Sequence, residues 1–130
     1  MSPINKGKIM KVIIDLIEDI RESINNNETY SITAMLLKED TNDKKNLIYA
    51  GEASVGSFYV DKISKELILT VEKDKEPLSV GELVKHLLIM DMEMMMYDVK
   101  LAVSEEHAPQ ELVGFGFNAA DAKYALFIMA

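Results

Sequence analysis

The sequence has no cysteine and no tryptophan, and only two histidines and three prolines among 130 residues. Without cysteine there are no disulfides, no thiolate nucleophile and no Cys-ligated zinc, and a cytoplasmic setting is expected. Arg21 is the sole arginine, so no arginine cluster can clasp phosphate groups. The balance of 14 basic against 22 acidic residues, a net charge of −8, speaks against direct contact with nucleic acid, whose affinity rests on Lys and Arg. It suits a chain that meets basic surfaces. No apolar run approaches the roughly 18 residues of a spanning helix, so no membrane contact is expected. Lys6, Lys8 and Lys11 are soon followed by Asp15, Glu18 and Asp19, which is not the pattern of a secretory signal.

What is present is an ordinary globular composition, 48% hydrophobic, enough for a core. The reading is one domain over residues 1–130. An N-terminal helix plus strands fill 1–73, and a C-terminal helix plus strands fill 78–130. Over 4–24, Ile9, Ile13, Leu16, Ile17, Ile20 and Ile24 recur at the helical period. Asp15, Glu18, Asp19 and Glu22 line the opposite, solvated face, and Asn25 to Asn27 end the helix. Tyr30, Ile32, Ala34 and Leu36 share one face of a strand. Further strands are expected over 46–50, 57–61 and 66–72, the last two joined by a turn at Lys62 to Lys65. Gly51 and Gly56 have phosphate-loop spacing. The lysine and the following helix that such a loop needs are missing, so an inter-strand loop is expected.

The best-marked element starts at Ser79. Ser79 can cap the amide three residues on, Glu82 can reach back, and Leu78 can pack on Leu83: a capping box with a hydrophobic staple. Val80, Leu83, Val84, Leu87 and Leu88 form the buried stripe. Five of the nine methionines then crowd into Met90–Met96. If the helix runs on, Ile89, Met92 and Met96 make a second stripe nearly opposite the first, and methionine suits adaptable contact surfaces. A homodimer or larger assembly through Ile89, Met92 and Met96 is therefore expected, set against a core that absorbs them. Strands at 98–103, 111–117 and 124–129 follow. In the middle one Val113, Phe115 and Phe117 face one way and Leu112, Gly114 and Gly116 the other. Gly114 and Gly116 leave a flat strip where a ligand or another backbone can approach. The class is α+β: antiparallel sheet with two helices, in the order helix, about four strands, helix, three strands.

Over residues 77–130 the run Leu78-Ser79-Val80-Gly81-Glu82-Leu83-Val84, the strand Asp98–Val103, the acidic loop Ser104–His107 and the strand from Tyr124 carry a family likeness. This part resembles small, mostly uncharacterised phage and prophage accessory proteins. The resemblance implies an accessory protein working in a bacterial host's cytoplasm, and it supplies no catalytic residues. The residues themselves supply none either. His86 has only Glu82 at helical spacing, His107 sits beside Glu105 and Glu106, and Ser54 and Ser57 lack a nucleophile-elbow pattern. No enzyme, cofactor or metal is expected. The expected function is binding to a host protein; the alternative is sequestering a small molecule or nucleotide in a pocket at a subunit interface.

Overall fold

The computed structural model of the chain describes residues 11–22, 29–42 and 47–129. Helix α1 covers Ile13–Glu22 and buries Ile13, Leu16, Ile17 and Ile20. It does not extend back through residues 11 and 12, because that stretch lies along a strand, with Val12 bridged to Asp98. Asp15 accepts a bond from the Val12 amide at 3.2 Å and secures the helix start. Ile9, Ile24 and the Asn25–Asn27 stop lie outside the described residues. On the expected solvent face Asp15, Glu18 and Glu22 are exposed. Asp19 is not simply solvated: the Tyr124 hydroxyl donates to it at 2.7 Å.

Strands β1 (Ser31–Glu39), β2 (Leu47–Asp61) and β3 (Glu66–Val71) precede helix α2 (Val80–Leu87). A 3-10 segment, Met92–Met96, then leads to β4 (Asp98–Ala102), β5 (Gln110–Glu111), β6 (Gly114–Asn118) and β7 (Lys123–Met129). All seven strands form one sheet in the order β5-β4-β3-β2-β1-β7-β6. The class is α+β, but the sheet is mixed rather than antiparallel: β1 runs parallel to β7, and β3 to β4. Three strands come before α2 and four after it.

Two local departures produce that count. The glycine stretch Gly51–Gly56 is not a loop but the middle of the 15-residue β2. It carries two irregularities, one opposite Leu36/Leu37 and one between Val55 and Ser57. Such bulges bend a strand, and β2 uses the bend to pass from β1 to β3. Leu78–Val80 fills the wedge beside the bend, with the Leu78 amide bonded to the Val55 carbonyl at 2.8 Å and the Ile32 amide to the Leu78 carbonyl at 2.9 Å. The second departure is a break at Leu112 and Val113, which divides the expected strand over 111–117 into β5 and β6. Across it the alternation reverses: Leu112 is fully buried, Val113 is exposed, and Phe115 and Phe117 pack on the core.

β5 and β6 stand at opposite ends of the sheet order yet are only two residues apart in the chain. The three chain steps from Glu111 to Gly114 reach only about 11 Å, so the sheet must curl until its edges come together. Lys11 reports the same closure. Its carbonyl is bonded to the Val99 amide on β4, while its ammonium lies 5.7 Å from the centroid of Phe115 on β6. The concave side holds one apolar cluster fed by both helices and by alternate residues of the strands, among them Ile32, Ala34, Leu67, Leu69, Leu101 and Leu126. Burial first, and then the bond to Asp19, push the Tyr124 phenol far above its ordinary value, so it stays neutral there. Among the described residues no helix is long and apolar enough to cross a membrane.

Candidate functional site

Two surfaces stand out, at opposite ends of the parallel β3–β4 pair. The first follows α2. Ser79 is the N-cap and its Oγ accepts from the Glu82 amide at 3.2 Å. The Glu82 carboxylate takes the Ser79 hydroxyl at 3.2 Å, so the reciprocal half of the box closes side chain to side chain. The helix stops at Leu87. Leu88 is its C-cap and is exposed, which removes it from the expected buried stripe. The expected continuation of the helix is replaced by a turn, Met90 amide to Leu87 carbonyl at 3.2 Å, and then by the 3-10 segment.

This break sorts the apolar side chains. Met94 is buried and Met90 and Met95 pack on the core, whereas Leu88, Ile89, Met92 and Met96 are exposed by 59%, 81%, 88% and 67%. Four large apolar groups thus form a ridge within nine consecutive residues. Lys85 and His86 stand before it and Asp91 and Glu93 within it, all exposed. His86 is held by a 2.8 Å bond between Nδ1 and the Glu82 carbonyl and by edge packing against Phe58, centroids 5.4 Å apart.

The second surface is a cleft of about 580 Å³ on the convex side of β2, β3 and β4, walled by the loop Ser104–Pro109. Register places Ser57, Thr70 and Ala102 side by side across the three strands. Ser57 donates to Glu72 Oε2 and lies 2.7 Å from Thr70 Oγ1. The Ser57 hydroxyl, and after it Lys75, hold the Glu72 carboxyl below its ordinary value. In the wall, Ser104 Oγ is 2.8 Å from His107 Nδ1. Both are exposed and three residues apart in one loop, and among the described residues no third group is bonded to the imidazole, so the contact closes the loop without orienting a nucleophile. Below the cleft Lys100 pairs with Glu66, which is the main reason its ammonium is held above its ordinary value.

The sequence missed this cleft. Its members are spread from residue 57 to residue 109 and meet only through the parallel pairing of β3 with β4, which no local pattern announces. Polar residues at alternate positions, Ser57 with Tyr59 and Thr70 with Glu72, were the available signal. Gly114 and Gly116 lie elsewhere, on the convex side of β6. A Cβ on Gly114 would meet Phe127 at 3.8 Å and one on Gly116 would meet nothing within 4 Å, so no other part of the described chain approaches the strip. Among the described residues no group of three or more His, Asp or Glu could hold a metal ion. No protein-family model matches the chain, and no curated protein or solved structure matches it at a significant level.

Proposed function

We propose that the chain is a non-enzymatic binding protein that works as a homodimer joined through Leu88, Ile89, Met92 and Met96, and that it occupies a basic protein surface. The exposure of these four side chains carries the reading. Leaving each in water forgoes roughly 1.5–3 kcal/mol of burial, and clustered exposure of this kind marks contact sites. A second copy is the occupant that the flanking charges favour. With Lys85 and His86 just before the ridge and Asp91 and Glu93 inside it, a two-fold contact can set the basic residues of each copy against the acidic ones of its twin.

The net charge of −8 supports a basic partner for the remaining surface. The likeness of residues 77–130 to phage accessory proteins suggests a host protein in a bacterial cytoplasm as that partner. The exposed Ser104–His107 contact, lacking an orienting third group, offers little to an enzyme reading. Light scattering at high micromolar concentration tests the proposal. The expected result is twice the monomer mass, falling to the monomer mass in Met92→Glu with the circular dichroism spectrum unchanged. A monomeric unmodified chain overturns the dimer, and unfolding of Met92→Glu returns the side chain to the core.

A further inference from the structure

The cleft on β2, β3 and β4 has a chemistry of its own. Its volume of about 580 Å³ falls in the range of small-ligand sites. The lining supplies the carboxylates of Glu72, Glu105 and Glu106 beside the imidazole of His107, and among the described residues it includes no lysine or arginine. Lys100 stands one row below but is tied to Glu66. Lys75 reaches Glu72 Oε2 at 3.7 Å from outside, with more than half of its side chain in solvent. The local field is therefore negative and only weakly countered.

The position of Glu72 is built. Ser57 donates to its Oε2 and is itself bonded to Thr70. The contacts of Ser57 and Lys75 fall on the same oxygen, so Oε1 keeps its capacity to accept. Gly56, at the bend of β2, makes the room: a Cβ there would lie 2.8 Å from Glu72 Cβ. A carboxylate fixed before a ligand arrives loses little freedom on binding. Beside it the wall is apolar, with Val71, Ala102, Ala108 and Pro109 and the half-exposed ring of Tyr59. An apolar stem can lie there, and the ring face attracts a cation. A metal ion is a poor fit, because no three carboxylate or imidazole groups converge among the described residues.

We propose that this cleft binds an organic cation, an ammonium or guanidinium group on an apolar stem, with Glu72 as its counter-ion. Such a group comes either from a free amine or from a lysine or arginine side chain of a protein. The site is independent of the ridge, so the Met92→Glu monomer should bind equally well. Its failure would leave the dimer proposal standing.

The test is an amide chemical-shift titration with n-butylammonium chloride against n-butanol, at ionic strength held constant with sodium chloride. Shifts confined to Ser57, Thr70 to Glu72 and Ser104 to Ala108, absent with butanol, are expected. Glu72→Gln should weaken binding on the order of tenfold, the worth of one charge-assisted hydrogen bond. Should that variant not fold, the Glu105→Gln/Glu106→Gln pair serves instead, with weaker binding again expected. Equal shifts with butanol overturn the proposal, as do unchanged affinity in the folded variants or shifts spread over the α1 carboxylates. A capped Gly-Lys-Gly peptide separates the sources: tighter binding than butylammonium assigns the cleft to a protein side chain, and weaker binding assigns it to a free amine.

Discussion

Replacing Gly56 by alanine tests how the bend of β2 is made. Gly56 is buried, and its φ is not in the left-handed region, so alanine can adopt the backbone. The obstacle is space. The added Cβ would stand 2.8 Å from Glu72 Cβ, well inside ordinary contact, and 3.4 Å from Glu72 Oε2. The neighbour is the root of a side chain just past the end of β3, not a flexible tip, so backbone must move. The bonds at risk are Glu72 amide to Ser54 carbonyl at 3.3 Å and Leu78 amide to Val55 carbonyl at 2.8 Å. Overpacking of this kind costs about 1–3 kcal/mol. Alanine returns about 0.4–1 kcal/mol by restricting the unfolded chain. The net expectation is a loss of about 1–2 kcal/mol, which lowers the urea midpoint by roughly 0.5–1 M at an m-value near 2 kcal/mol/M. The amides of Ser57 and Glu72 should shift as well, since their contact is what the Cβ displaces. A midpoint equal to or above that of the parent chain would refute this account of the bend.

Ser79→Ala removes the oxygen that caps the Glu82 amide and should cost about 1 kcal/mol in a denaturant titration. Tyr124→Phe deletes a mostly buried hydroxyl that donates to Asp19, and a loss of about 1–2 kcal/mol is expected from the thermal midpoint. The Lys123 ammonium, and then the Tyr49 hydroxyl, hold the Glu52 carboxyl below its ordinary value of 4.5. Its stabilising contribution is therefore complete above that value and disappears as pH falls through the lowered one. The stability difference between the parent and Glu52→Gln should shrink as pH falls below 4.5 and through the lowered value.

What could be read in advance was what is decided locally. The start of α2 depends on Ser79, Glu82 and the apolar positions near them, and it is where the sequence puts it. The core face of β1 is legible because Ile32, Ala34 and Leu36 alternate, and Asp61 gathers the amides of Ile63 and Ser64 into the expected turn. Ile89, Met92 and Met96 are exposed, but on a turn and a 3-10 segment, so the longer helix whose second stripe they were expected to form is not there. The helix yields because Tyr97 and Val99 must dock along Lys11–Ile13, with bonds of 3.0 and 2.7 Å. What could not be read depends on partners distant in sequence. Glycines at 51 and 56 look the same in a loop and in a bent strand; only the neighbours β1 and β3 decide. The parallel pairs are likewise invisible in residues 66–71 and 98–102, which alternate as antiparallel strands would. The cleft inherits that invisibility, because Thr70 and Ala102 become neighbours only through the β3–β4 register.

In the proposed dimer Met92 and Met96 face another copy of the chain. Nuclear Overhauser spectra on an equal mixture of chains labelled at methionine methyls and unlabelled chains read that contact directly. The expected result is intermolecular signals from the Met92 and Met96 methyls to unlabelled Leu88 and Ile89, and none from buried Met94. A spectrum with no intermolecular signals from Met92 and Met96, at a concentration where the mass is that of a dimer, would contradict it and move the interface elsewhere.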